Sequence, residues 1–213
     1  MKKNLFFTFV ILAALVIATS AFSTSATVLI PVTDAPVTGA VVQPPASILS
    51  LDQFSTALSS GKADVIVGVY AANTFALRVV NQVMNNPAYV SPMNGTVTQF
   101  QTATQYGTLG LLAHNYLSGS FFSKLTLGQE IDIVNGDGAV RRYVVTNIRR
   151  FQALNPSSPY SNFVDLENGG PQLSSTDLFN QIYAGGNKVV FQTCINANGN
   201  WSWGRLFVTA TPM

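Results

Sequence analysis

The sequence beyond Gly61 consists of short β-branched and apolar segments that are separated by turn residues. The clearest pair is 130–134 and 139–151, which flank Asn135-Gly136-Asp137-Gly138. Asn-Gly and Asp-Gly supply the positive backbone angles of a tight hairpin turn, so this pair is predicted to be antiparallel. Further segments with strand character are 63–70, 75–81, 95–101, 107–113, 188–194 and 205–210. Seven or eight such strands predict an all-β protein, with a closed or nearly closed β-barrel and one or two short helices.

Two connections differ in character from the strands. Residues 152–187 form a long, proline-containing connection in which the pattern predicts a helix over 174–184. Ser174 can cap this helix together with Asp177, and an apolar face follows. The stretch 196–204 is polar and is predicted to be a connector between the last two strands.

The N-terminal region has the composition of an export signal. Lys2 and Lys3 precede the apolar run 5–18, and small residues accumulate up to Ala26. This order predicts a signal peptide over 1–26, and the run is nearly long enough to be a retained membrane anchor instead. Residues 27–60 are rich in Pro, Ala, Ser and Thr and are expected to be a spacer or arm, which leaves 61–213 as the folded domain.

One part of the predicted spacer allows a second interpretation. Between residues 46 and 58, apolar side chains recur at helical spacing at Ile48, Leu51, Phe54 and Leu58. This pattern is also typical of a short helix that lies on the folded domain.

The charge content argues against nucleic-acid binding, and the cysteine content excludes an intrachain disulfide. Charged residues make up 9% of the chain, and without Lys2 and Lys3 nine basic residues balance nine acidic ones. Nucleic acid is therefore not an expected partner, because binding to phosphates requires a concentrated basic surface. The pairs Arg141-Arg142 and Arg149-Arg150 are assigned to one strand whose ends meet solvent. The single cysteine cannot form an intrachain disulfide, so core burial must hold the domain together.

The single cysteine and the single histidine are the candidate reactive residues. Cys194 ends one predicted strand just as Arg205 begins the next, so the two can face each other across an antiparallel ladder. His114 also ends a predicted strand, and a barrel could bring that end to the same rim. A neighbouring cation favours the thiolate, an imidazole can deliver a proton, and a guanidinium can hold a carbonyl oxygen. These groups suffice for covalent acyl transfer.

In these segments the chain resembles the sortases, the cysteine transpeptidases of bacterial surfaces. The resemblance covers 113–115, 130–148, 190–194 and 205–210, in this order. It implies an eight-stranded barrel in which Cys194 is the nucleophile, His114 the acid or base, and Arg205 the ligand of the substrate or oxyanion. It further implies cleavage of a sorting motif, commonly of the Leu-Pro-Xaa-Thr-Gly type, in exported proteins. The acyl group is then held as a thioester and passed to an amine on a wall precursor or pilin.

The resemblance also assigns a substrate-recognition role to part of the long connection. Residues 152–187 correspond to the loop before the catalytic strand, and Phe163, Leu166 and Leu173 are its candidate apolar contacts. Thr193, beside the cysteine, is a further candidate substrate-binding residue. The acidic residues of the calcium site in some sortases have no clear counterpart, so no metal and no cofactor are expected. The expected location is outside the cytoplasm, either secreted or anchored at the outer face of the membrane.

Some positions depart from the family pattern and keep two alternatives open. Val190 and Phe191 stand where Thr and Leu are usual, and Ala113 replaces a glycine, so the subclass and the sorting motif are not defined. One alternative is an L,D-transpeptidase, although Asn196 occupies the position of that family's arginine. The other is a noncatalytic, exported β-domain that binds a surface.

Overall fold

The computed structural model describes residues 49–83 and 85–213. The predicted export signal and most of the predicted spacer lie outside these residues. The strands are β1 Ile66–Ala71, β2 Phe75–Asn81, β3 Thr96–Phe100, β4 Thr108–Leu112, β5 Glu130–Asn135, β6 Val140–Ala153, β7 Phe163–Asp165, β8 Lys188–Ala197 and β9 Asn200–Pro212. The helices are α1 Leu51–Leu58, α2 Gln101–Thr104 and α3 Ser175–Tyr183, with a 3₁₀ helix at Ser118–Lys124. Within this part of the chain, no helix is both long and apolar enough to span a membrane.

Eight of these strands close into a mixed barrel, as the sequence predicts. Their order is β5-β1-β2-β3-β4-β8-β9-β6, and pairing of β5 with β6 closes the ring. β2 pairs with β3, and β4 with β8, in parallel, whereas the other neighbours are antiparallel. The ninth strand, β7, lies outside the ring along β6. It was not among the predicted strands, because only its three residues pair within the long connection.

Two apolar clusters hold the barrel and α3 together. The larger cluster takes buried side chains from all eight barrel strands, and Phe75, Phe122 and Phe191 contact one another within it. The smaller cluster lies between α3 and the outer face of the sheet, where Tyr183 contacts Phe207. Alternate residues of a strand point to opposite faces, so β8 contributes to both clusters.

The hairpin predicted from Asn135-Gly136-Asp137-Gly138 is confirmed. The main-chain N–H of Asn135 donates to the carbonyl of Ala139 at 2.9 Å, and Gly138 has a φ of +87°. The polar stretch 196–204, which was predicted to be a connector, is instead mostly strand. β8 continues to Ala197 and β9 begins at Asn200, so only Asn198 and Gly199 turn the chain, with φ of +53° and +73°. The polar side chains that suggested a loop belong to strands extending beyond the core, where nothing apolar needs to be buried.

Both helical predictions agree with the structure. Ser174 caps α3, since its hydroxyl accepts from the main-chain N–H of Asp177 at 3.1 Å. The second interpretation of the spacer is also correct for 51–58, where α1 is capped by Ser50. Phe54 of this helix is buried and lies against the ring of Tyr70, with 6.0 Å between the ring centroids.

Candidate active site

Cys194 and Arg205 are direct partners in the β8–β9 ladder. Opposite residues of an antiparallel pair point to the same face, with their Cβ atoms about 5 Å apart. The same register pairs Gln192 with Phe207, and Phe207 belongs to the cluster under α3. The Cys194 and Arg205 side chains therefore lie on the outer face of the barrel, on the side of α3.

His114 reaches the same edge through the parallel pairing of β4 with β8. Leu112 is the partner of Gln192, and the main-chain N–H of Ala113 donates to the Gln192 carbonyl at 3.2 Å. The Thr193 hydroxyl then donates to the Ala113 carbonyl at 2.8 Å. Each step along β4 is matched by one along β8, so His114 follows Ala113 at the level of Cys194. His114, two residues beyond the end of β4, thus forms a row with Cys194 of β8 and Arg205 of β9.

The loop after His114 folds tightly back against β8. The main-chain N–H groups of Leu117 and Gly119 both donate to the His114 carbonyl, each at 3.0 Å. A Cβ atom at Gly119 would lie 2.3 Å from the Thr193 hydroxyl and 2.7 Å from the His114 carbonyl oxygen. Only glycine fits this approach, so the main chain of the histidine loop is held against the strand that carries the cysteine.

Aromatic side chains hold the imidazole from the solvent side. The Tyr116 ring stacks on that of His114, with 5.1 Å between centroids and 18° between planes. Trp201 of β9 then meets Tyr116 edge-on at 6.0 Å, and its carbonyl accepts from the Asn115 amide at 2.9 Å. Tyr116 and Trp201 are 59% and 58% exposed. Their contacts therefore link the histidine loop to the β8–β9 hairpin at the surface.

The Arg205 guanidinium is oriented by main-chain carbonyls. Its Nη1 donates to the carbonyls of Ser202 and Gly204, both at 2.9 Å. An arginine carries five N–H donors, so the donors on Nε and Nη2 remain. Among the described residues these donors have no hydrogen-bond partner.

Arg205 and Cys194 each line a cavity, whereas His114 lines neither of the two. The larger, of about 380 Å³, is called the apolar cleft and contains Arg205 and Gln192 among mainly apolar side chains. Its other lining residues are Pro87, Ala88, Val90, Phe100, Leu112, Pro159, Phe163, Ser175, Leu178, Phe179, Tyr183 and Phe207. The smaller, of about 300 Å³, is called the rim pocket and is lined by Cys194 with Asn115, Gly119, Ser120, Ser123, Arg150, Thr193, Ile195, Asn196, Trp201 and Leu206. Cys194 and Arg205 are ladder partners, so the rim pocket lined by Cys194 and the cleft lined by Arg205 lie next to each other.

The four predicted substrate contacts occupy different surroundings. Phe163 lines the apolar cleft, and its main chain pairs with that of Leu173 through hydrogen bonds of 2.8 and 2.9 Å. Leu173 also borders a separate polar cavity of about 600 Å³. Leu166 is 44% exposed and borders neither cavity at the cysteine. Thr193 is buried, and its hydroxyl donates to the Ala113 carbonyl. Their roles in substrate binding stay predictions.

Sequence reasoning missed three residues of this region, namely Gln192, Tyr183 and Tyr116. Gln192 could have been found from the period of the strand, because a residue two positions from Cys194 shares its face. Tyr183 and Tyr116 come from the predicted helix and from an apparent loop, and no local signal connects them to the cysteine. Over residues 49–83 and 85–213, no cluster of three or more His, Cys, Asp or Glu residues could hold a metal ion.

Behind the cleft, a buried ion pair holds β7 to β6. Asp165 accepts hydrogen bonds from the Arg149 guanidinium, from the Asn168 amide at 3.0 Å and from the main-chain N–H of Glu167 at 3.0 Å. Burial raises the pKa of Asp165, but these hydrogen bonds, with that from the Asn168 N–H, outweigh it and bring the pKa to about 2. The carboxylate therefore stays ionised, and it fixes the strand that carries Phe163.

Comparison with known proteins finds likeness among solved structures only. No family model and no curated protein matches the sequence. Sortase C-1 from Actinomyces oris has a TM-score of 0.48 and 12% identity, covering 80% of this chain and 82% of that one. Clostridium perfringens sortase C, solved with a C-terminal cell wall sorting motif, has a TM-score of 0.47 and 13% identity, over 71% and 72%. Listeria monocytogenes sortase A has a TM-score of 0.43 and 12% identity, over 70% and 88%. The chain is similar in fold to these sortases. At these identities the likeness concerns the fold alone.

Proposed function

We propose that the protein is a sortase-like cysteine transpeptidase that cleaves a sorting motif through a thioester and transfers the acyl group to an amine. The observation that carries this proposal is the row formed by Cys194 of β8, Arg205 of β9 and His114, which lies two residues beyond the end of the neighbouring strand β4. In this row an imidazole and a guanidinium lie on either side of a thiol. Either cation favours the thiolate, which is the reactive form of cysteine.

The proposed reaction has two halves that use the same groups. In the first, Sγ of Cys194 attacks the scissile carbonyl, and His114 protonates the departing amine as the C–N bond breaks. A thioester remains. In the second, an acceptor amine attacks the thioester, His114 takes the proton that this amine loses, and the C–S bond breaks to return the thiolate.

Arg205 is proposed to stabilise the oxygen of the attacked carbonyl. Its Nη1 is held by the carbonyls of Ser202 and Gly204, and the donors on Nε and Nη2 are left for a ligand. Donors fixed before the reaction stabilise a developing negative charge without first having to reorganise. The guanidinium is also permanently charged, so this role does not depend on pH near neutrality.

The proposed substrates are exported proteins with a C-terminal sorting motif, and the proposed acceptor is an amine on a wall precursor or pilin. The chemistry requires no cofactor. The site of action would be outside the cytoplasm, at the outer face of the membrane if residues 1–26 are retained or beyond it if they are removed. The apolar cleft is suited to the aliphatic part of such a motif, because it adjoins Arg205 and buries mainly apolar surface.

Incubation with a peptide library of sorting motifs, followed by intact-mass measurement, tests the proposal. The chain has one cysteine, so a mass increase that is lost in Cys194→Ala assigns the thioester to Sγ. His114→Ala and Arg205→Ala should slow the adduct and also slow labelling of the thiol at neutral pH. Arg78→Ala, at an exposed position of β2, is the matched control and should change neither.

Two results would contradict the proposal. One is transpeptidation that continues in full in Cys194→Ala, because the reaction would then need a different nucleophile. The other is a wild-type protein that forms no adduct with any peptide and whose thiol labels no faster than that of the His114→Ala variant. The second result would favour a noncatalytic binding domain.

A further inference from the structure

Gln192 places a single amide on the otherwise apolar floor of the cleft. It lies two residues before Cys194 in β8, and alternate residues of a strand share a face. It lines the apolar cleft together with Arg205, whereas the side chains around it are mainly aromatic or aliphatic. Within the described part of the chain, no Asp or Glu lines this cleft. The polar side chains beside the reactive row are therefore rich in donors and have no carboxylate to pair with.

Tyr183 fixes which end of the Gln192 amide can face a ligand. Its phenol is buried, and burial raises the pKa of Tyr183, so the hydroxyl keeps its proton. This hydroxyl donates to Oε1 of Gln192 at 2.5 Å. The amide oxygen is thereby occupied, and the two N–H groups of Nε2 have no hydrogen-bond partner among the described residues.

The side of the thiol on which the acyl segment lies follows from the order of the reaction. The acyl segment must stay bound while one amine leaves and another enters. We assign the larger, apolar cleft to the part that stays, and the rim pocket, whose lining includes Asn115, Ser120 and Ser123, to the amines that exchange. A strand rises about 3.4 Å per residue, so Gln192 lies about 7 Å along the floor from Cys194. In an extended acyl segment, that distance corresponds to the residue two positions upstream of the attacked carbonyl.

We propose that Gln192 determines specificity by donating from Nε2 to a hydrogen-bond acceptor side chain at this position, two residues upstream of the residue that is acylated. This inference rests on the proposed function for the direction of the bound peptide. It gives the substrate class as motifs with Asn, Gln, Ser, Thr or a carboxylate at this position, where a motif of the Leu-Pro-Xaa-Thr-Gly type acylated at its threonine has proline. A site built to donate to a side chain discriminates against an analogue that lacks the acceptor, because the donor then loses water without gaining a partner.

Binding can be measured without catalysis, in the Cys194→Ala protein. Fluorescein-labelled five-residue peptides carry Asn or Leu, which are similar in size, at each position in turn, and their Kd values are measured by anisotropy. At the position two upstream, the Asn peptide should bind about three- to tenfold more tightly than the Leu peptide, which is the ratio that one net hydrogen bond gives. At the other positions the ratio should stay within about twofold, since Gln192 cannot reach them.

A double variant separates specificity from a structural role for the amide. Gln192→Leu alone leaves the Tyr183 hydroxyl buried without a partner, so the double variant Gln192→Leu/Tyr183→Phe removes both groups and should fold with a Tm near that of the parent. In it, the ratio of Kd values should fall to about one. Tyr183→Phe alone keeps the Nε2 donors and should keep a preference for Asn. An unchanged ratio in the double variant, or equal Kd values in the parent, overturns the inference.

The same peptides, given to the wild-type protein, distinguish the two proposals. If they form a thioester at equal rates whether they carry Asn or Leu, the specificity role of Gln192 fails and the proposed function stands. If the ratio of Kd values is present but no peptide forms a thioester, the cleft selects as inferred and the transpeptidase function fails. Peptides that bind nowhere in the cleft would overturn the inference directly.

Discussion

Replacement of Asp165 by Asn should remove a stabilisation whose size follows from the structure. The ordinary pKa of an Asp carboxyl is 3.8, and in the folded protein the pKa of Asp165 is about 2. Since one pKa unit corresponds to about 1.4 kcal/mol, the ionised carboxylate contributes about 2 kcal/mol to the free energy of unfolding at neutral pH. The Asp165→Asn variant also leaves the Arg149 guanidinium, which is 17% exposed, without its counter-ion. The free energy of unfolding of Asp165→Asn is therefore expected to be lower than that of the wild type by about 2–4 kcal/mol at pH 7.

The direction of the pH dependence follows from the lowered pKa. Above the pKa of the unfolded chain the carboxyl is ionised in both states, so the stabilisation is present in full. Between about pH 4 and pH 2 the unfolded chain takes up a proton more readily than the folded one, and the stabilisation is lost. The difference in stability between wild type and Asp165→Asn should therefore shrink by most of about 2 kcal/mol as the pH falls from 5 to 2.

Urea unfolding at a series of pH values, followed by tryptophan fluorescence, measures this difference. Glu167→Gln is the matched control, because it neutralises a nearby carboxylate whose partner Arg150 is 52% exposed. Exposed ion pairs contribute about 0–1 kcal/mol, so the free energy of unfolding of Glu167→Gln should stay close to that of the wild type at every pH. A difference between wild type and Asp165→Asn that stays constant from pH 7 to pH 2 would refute the assignment of a lowered pKa to Asp165.

Three further variants test the roles proposed for His114, Cys194 and Arg205. Gly119→Ala should destabilise the protein by about 1–3 kcal/mol and slow thiol acylation, because its Cβ would force the histidine loop away from Thr193; unchanged urea unfolding would contradict this. Tyr116→Ala should slow acylation about two- to tenfold, as one aromatic contact to the imidazole is lost, whereas Tyr116→Phe should restore it. His114 is the chain's single histidine, so the NMR signal of its Hε1 proton is unambiguous and reports any change in the surroundings of the imidazole. Arg205→Lys keeps the charge but loses the fork of donors, and an acylation rate lowered by about 100-fold is expected; a rate equal to that of the wild type would remove Arg205 from the proposed oxyanion site.

The strands were predictable because their signals are local. The hairpin at Asn135-Gly136-Asp137-Gly138 needs only the turn residues and the alternation around them, and it is present. The same signal in Asn198-Gly199 was not recognised, since the flanking residues are polar and lie beyond the core. Polar alternation does not distinguish an exposed hairpin from a loop, so the length of β8 and β9 could not be derived from the sequence.

The solvent exposure of the arginine pairs could not be fully predicted, because it depends on contacts between distant segments. Arg141-Arg142 and Arg149-Arg150 do lie on one strand, β6, as expected. The expectation that both pairs meet solvent is wrong for Arg149, whose guanidinium is largely buried against Asp165, 16 residues further along the chain. Asp165 lay in the long connection, and nothing in its local sequence indicates that a strand forms there and returns to β6.

The topology explains why three residues distant in the sequence can share one edge of the barrel. β4 and β8 run parallel, so His114, two residues beyond the end of β4, lies at the level of Cys194 near the end of β8, and β9 returns from there with Arg205. Had β4 paired antiparallel with β8, its end would lie beside the beginning of β8 at Lys188, about 20 Å from Cys194 at about 3.3 Å per residue. A periodic pattern shows where strands occur, but it does not show which neighbours run parallel. The placement of Arg205 opposite Cys194 therefore follows from a local hairpin. The placement of His114 depends on the parallel crossover from β4 to β8, and that pairing determines whether an imidazole and a thiol can act on one carbonyl.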